Sequence, residues 1–125
     1  MSETKEYITH TEPAGTVNVS VDVLCSIAAL AACEVEGVRG LAQNRSADIA
    51  ELLGRKSLSQ GVRFHMQDED YSVECNVVLE QGRQIPQVAA EVQKAVTSAL
   101  ESTTGIHVSA VNVNICSIAL PKKNA

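Results

Sequence analysis

The stretch VRFHMQDEDYSVECNVVLE, residues 62–80, decides the fold of this 125-residue chain. Val62, Phe64 and Met66 alternate with Arg63, His65 and Gln67, the period-two pattern of a strand with one apolar and one wet face. Asp68, Glu69 and Asp70 read as a solvated turn. Tyr71, Val73, Cys75, Val77 and Leu79 then alternate with Ser72, Glu74, Asn76 and Glu80, which predicts the returning strand. Opposed residues must share a face, and two registers satisfy that rule. One sets His65 against Glu74 and the other sets Arg63 against Glu74, each with a loop of about four residues. A hairpin with one apolar face needs cover on that face alone.

Downstream, Pro86 stands in the first turn of a long helix, where its missing N–H costs nothing. Ile85, Val88, Ala89, Val92, Val96, Ala99 and Leu100 form its apolar stripe, Gln87, Glu91, Lys94 and Glu101 its wet side, and Gly105 its end. Val111, Val113 and Ile115 make one face of a last strand, with Val108 and Ile118 out of phase, which predicts a bulge or a strand end. Upstream, Ser46 is placed to cap a short helix with Ile49, Leu52 and Leu53, stopped by Gly54. Residues 38–44 read as irregular. Before them, Ser20 caps a helix whose stripe of Val23, Ile27, Leu30, Ala31 and Val35 is expected to face the core, ending at Gly37. Thr16 to Val19 is a short strand. The expected order is β-α-α-β-β-α-β, a two-layer α+β sandwich with a small, mainly antiparallel sheet and helices on one face. A disordered lead at 1–14, one domain at 15–120 and a tail at 121–125 complete the expected organisation.

Composition narrows the function. Hydrophobic residues make up 45% of the chain and charged residues 20%, which suits a folded domain. Tyr7, Phe64 and Tyr71 are the only aromatics, too few for a platform that stacks single-stranded bases. A net charge of −5 argues against binding duplex by charge. No apolar run is long enough to span a bilayer, and residues 1–13 lack the apolar stretch of a secretory signal.

Cys25, Cys33, Cys75 and Cys116 show no paired spacing and sit among aliphatic residues, so reduced, buried thiols are expected, without metal or disulfide. His65 on the wet face reads as half of a surface cross-strand pair, a commoner role than general base. Neither a glycine-rich dinucleotide motif nor a phosphate-binding loop occurs. The residues therefore suggest no catalytic group, cofactor, metal or small-molecule substrate.

Three segments carry a resemblance: EVEGVRG at 34–40, AELLGRKSLSQGV at 50–62 and IPQVA at 85–89. In this order and spacing they resemble the alkaline shock protein family of Gram-positive bacteria, the envelope stress response family. The likeness covers residues 15 to 115. Cysteine at four core positions departs mildly from that pattern. The resemblance implies a cytoplasmic, non-enzymatic protein of cell-envelope homeostasis and alkaline or general stress. Some members lie at the inner face of the membrane through an integral-membrane partner, and relatives are tied to control of fatty-acid synthesis. It defines no catalytic residues.

Two surfaces are candidates for contact. Arg39, Arg45, Arg55, Lys56 and Arg63 are five of the ten basic residues and are opposed locally only by Asp48 and Glu51. Arg55 and Lys56 also suit a helix C-terminus, while together the five suit an acidic partner, phosphates or anionic lipid. The last strand, with Val111, Asn112, Val113 and Asn114, lacks charge, as does Thr16 to Val19. At a sheet edge either would pair readily with a second copy, giving a homo-oligomer. The leading expectation is an interaction or scaffold protein. The alternative is a regulatory module, binding nucleic acid by analogy with KH-type folds or acting on fatty-acid synthesis.

Overall fold

The computed structural model describes residues 7–42, 61–68 and 70–120. Strands β1 (Tyr7–Glu12) and β2 (Gly15–Ser20) form an antiparallel hairpin, followed by α1 (Val21–Cys33) and β3 (Val38–Leu41). β4 (Val62–Gln67), β5 (Asp70–Glu80), α2 (Ile85–Thr104) and β6 (Ala110–Ala119) complete the described elements. The architecture is the expected α+β one, with both helices packed on one face of the larger sheet.

β5 is the central strand. Val73, Cys75, Val77 and Leu79 on its inner face are wholly excluded from water, whereas Ser72, Glu74, Asn76 and Glu80 on the other face are half-exposed. Val92, Val96 and Leu100 of α2 are equally buried above them, each aliphatic side chain contributing about 1.5–3 kcal/mol. Along one side of β5 runs β6, parallel, reached through α2 as a crossover. Along the other side lie β4 and β3, end to end and both antiparallel to β5. The Ala42 N–H donates to the Asn76 carbonyl at 2.8 Å, so pairing continues to the point where β4 begins.

Several expectations change. The hairpin register sets Arg63 against Glu74, and Gln67 pairs with Asp70, so the ladder runs further than the expected four-residue loop allows. Asp68 takes a left-handed φ of 57°, a conformation its short polar side chain tolerates. Residues 7–12, expected in a disordered lead, form β1 because Ile8 reaches the core and the strand pairs from Tyr7↔Ser20 to Glu12↔Gly15. Residues 38–41, expected to be irregular, pair with β5 around a bulge at Arg39.

The helix after Ser20 forms as expected, with the serine oxygen accepting from Val23 N at 3.2 Å. Its buried face is different. Leu24, Ala28, Ala29 and Ala32 are fully buried, while Val23 and Leu30 point outward at 46% and 50% exposure. α1 is apolar nearly all round, and its small residues allow the closest approach to the sheet. α2 begins and ends as expected, with Pro86 in the first turn and Gly105 left-handed at φ 81°. The bulge in the last strand falls at Cys116, between the pairs Ile115↔Val77 and Ser117↔Val78. The helix expected from Ser46 to Gly54 lies outside the described residues, as do positions 1–6 of the lead and the tail at 121–125.

Candidate functional site

β6 is the outer lane of the sheet. Among the described residues it pairs only with β5, and none of its ten residues is charged. Val111 and Val113 turn inward, buried and half-buried, while Asn112 and Asn114 are exposed on the outer face. Gln93 of α2 donates to the Val111 carbonyl at 3.0 Å and holds the start of the strand. The opposite lane is unlike it. There Arg39 sits at the β3 bulge and Arg63 on the outer face of β4, both exposed. Exposed charge of this kind helps keep a sheet edge from pairing. Arg45, Arg55 and Lys56 lie outside the described residues, so of the five basic candidates the structure places two on this lane.

A polar ladder crosses the outer face and ties β6 to the centre. Asn114 Nδ2 donates to Glu74 Oε2 at 2.9 Å and to Asn76 Oδ1 at 2.8 Å. The other Glu74 oxygen, Oε1, lies 3.2 Å from His65 Nε2. His65 is directly opposite Ser72 and reaches Glu74 diagonally. Hydrogen bonds from His65 and then Asn114, with the nearby positive charge, hold the Glu74 carboxyl below its ordinary value of 4.5. Glu74 is thereby kept as an acceptor, which suits a cross-strand tie and not proton transfer near neutral pH.

The alternation of Asn112 and Asn114 with valines already placed both asparagines on a wet face. Their link to Glu74 was hidden, because it depends on the parallel register of strands nearly forty residues apart.

The cysteines divide. Cys25 and Cys75 are buried, and desolvation pushes their thiols up to about 11 and about 12. Both are poor nucleophiles for that reason. Cys33 and Cys116 are exposed, against the expectation that all four are buried. Desolvation also raises the Cys33 thiol. Among the described residues no His, Cys, Asp and Glu side chains cluster so as to hold a metal ion, and no helix is long and apolar enough to cross a membrane.

Comparison with known proteins adds a family. The model of the alkaline shock protein family, described by its "cell envelope-related function", matches residues 9–120. The uncharacterized protein YqhY of Bacillus subtilis is 29% identical over 109 residues, covering 87% of this chain and 81% of its own length. The uncharacterized protein Spy1535 of Streptococcus pyogenes serotype M6 is 34% identical over 114 residues, 90% of this chain and 85% of its own. Among solved structures, the one titled "MamM CTD - Copper form" is similar at a TM-score of 0.47 and 16% identity. It covers 81% of this chain and 89% of that one.

Proposed function

The chain belongs to the alkaline shock protein family, described as having a cell envelope-related function, and from that premise we propose a non-enzymatic scaffold that pairs with a second copy of itself and docks a protein partner. The observation that carries this reading is β6, an uncharged ten-residue edge strand whose outer face is tied to the central strand by the Glu74–Asn114 hydrogen bond. Two copies related by a two-fold axis would pair β6 to β6, antiparallel, and merge two sheets into one. The exposed charges of Arg39 and Arg63 disfavour pairing through the opposite lane, so the assembly closes as a dimer and does not grow into a filament.

Its place is the cytoplasmic side of the envelope stress response, where an integral-membrane partner supplies the contact with the bilayer. Arg39 and Arg63, both exposed on the β3–β4 lane, are the docking residues of this reading for an acidic partner, and Arg45, Arg55 and Lys56 remain candidates by sequence alone. The raised thiols of Cys25 and Cys75 and the anionic tie at Glu74 support a role without catalysis.

Light scattering at micromolar concentration tests the dimer. Asn112→Lys is the clean variant, since Asn114 holds two hydrogen bonds and Val113 serves the core. The wild type should have twice the mass of one chain, and Asn112→Lys the mass of one chain with unchanged circular dichroism. A monomeric wild type ends the reading.

A further inference from the structure

α2 crosses the sheet on a diagonal. Near its start, Val88 stands against Gly37, which leads into β3 on one side of β5. Five residues later, Gln93 donates to the Val111 carbonyl of β6, on the other side. The inner face of β6 therefore loses its cover progressively along the strand. Val111 is 8% exposed, and Val113 and Ile115 are half-buried. Ile118 is 40% exposed, although its partner across the ladder, Leu79, is wholly excluded from water. Ile85, the first residue of the stripe that α2 turns to the core, is likewise open to water, so this end of the sandwich is unsealed.

This wedge of uncovered aliphatics is continuous with the open edge of β6. The flank of α2 that overhangs the same edge carries Pro86, Ala90, Gln93 and Thr97 at spacings of three and four, none of them charged. An antiparallel two-fold pair through β6 brings the two features together. It lays the covered start of each strand beside the uncovered end of the other. Over residues 111–115 the inner faces match only where paired numbers sum to an even value. The register that sets Val111 opposite Ile115 places Val113 on the axis. The diagonal also makes room. Paired strands stand about 4.8 Å apart and packed helices about 8–10 Å, so two helices lying along the whole of β6 would collide across the joint. Because each α2 covers only the first half of its own β6, the other's α2 fits over Ile115 and Ile118.

We propose that two copies of this chain associate in two layers, with the Ala90–Thr97 flank of α2 in one copy seated on Ile115 and Ile118 of the other, above the β6 ladder. The proposal rests on the reading of β6 as the self-pairing edge and adds the side chains that hold the pair. A stable pair needs about 800 Å² from each partner, and backbone pairing along one strand contributes hydrogen bonds and little apolar area. The wedge supplies that area from aliphatic residues already exposed.

Light scattering over a dilution series of the full chain reads the dissociation constant. Isotope-filtered nuclear Overhauser spectra, from equal parts of isoleucine-methyl-labelled and unlabelled chain, read contacts between copies. The wild type should be dimeric at micromolar concentration, with contacts from Ile118 of one copy to Ala90 or Thr97 of the other. Ile118→Ser and Ala90→Arg alter exposed positions, so thermal melting should stay cooperative while the dissociation constant rises tenfold or more. A dimer that Asn112→Lys breaks but that Ile118→Ser and Ala90→Arg both leave as tight as the wild type overturns the two-layer joint and leaves β6 pairing standing. A dimer without contacts between Ile118 and the α2 of the other copy overturns the joint too. A monomeric wild type ends both readings, as does a dimer that Asn112→Lys does not weaken. Binding of phosphatidylglycerol vesicles by a monomeric wild type, lost in Ile118→Ser, would assign the wedge to a bilayer and would likewise overturn the proposal.

Discussion

Gly61 sits at the joint between β3 and β4, and an added Cβ would stand 2.7 Å from Leu41 Cβ and 3.1 Å from the Ala42 carbonyl oxygen. Backbone lies on one side of that contact, so the neighbours have little room to give. Gly61→Ala should destabilise the fold by about 1–3 kcal/mol, read as a lower urea midpoint at unchanged slope. Gly40→Ala, two residues before Ala42, is the control. Open space surrounds that position, and the variant should be neutral or more stable by about 0.5 kcal/mol. At Glu74 the sign follows from the lowered carboxyl. A group whose folded pKa lies below its unfolded one contributes stability above the unfolded value, and loses it as pH falls through the folded value. The urea midpoint should therefore drop on acidification below 4.5, and Glu74→Gln should show a shallower drop. The side chain is 33% exposed, so solvent screening keeps the effect small. An identical acid profile in the variant would remove the tie from the stability of the sheet.

At the scale of the element, α1 is set by one hydroxyl and four small side chains. Ser20→Ala removes the acceptor for Val23 N and should cost about 1 kcal/mol, measured by thermal or urea unfolding. The division of cysteines between buried and exposed faces gives a second reading of the same packing. At pH 8 a thiol raised to about 11 is ionised to roughly one part in a thousand. Iodoacetamide should therefore label Cys33 and Cys116 in the folded protein and spare Cys25 and Cys75 until denaturant is added. Rapid labelling of Cys75 would mean that β5 is not covered as described.

For the whole molecule, the proposed pairing through β6 would couple stability to concentration. A dimer forms from folded chains only, so the Tm of the wild type should rise as the protein is concentrated, while that of Asn112→Lys should stay constant. A Tm independent of concentration in both proteins would count against pairing at the edge, whatever the family relationship. The two edges of the sheet differ in kind. Both lanes carry a bulge, but the β3–β4 lane bears arginines and the β6 lane bears asparagine amides between valines. That asymmetry favours a closed two-fold pair, because only like edges are free to meet.

What the sequence determined by itself is everything carried by a local period or a local cap. The alternation over 62–80 made the hairpin and its inner face legible, and the stripe from Val88 to Leu100 made α2 legible. Ser20, Pro86 and Gly105 marked helix ends through their own backbone and side-chain chemistry. Nothing local distinguishes the two registers of the hairpin, and the structure chose the one that opposes Arg63 and Glu74 while letting His65 reach the same carboxylate. Nor does period identify one face of α1, where apolar residues stand on most sides. The core took Leu24 and the alanines because they allow close approach, and left Val23 and Leu30 in water. β1 and β3 became strands through the pairing groups that β2 and β5 offered them. The open edge at β6 and the uncovered wedge beside it arise in the same way, from contacts across long sequence separations that a local pattern does not encode.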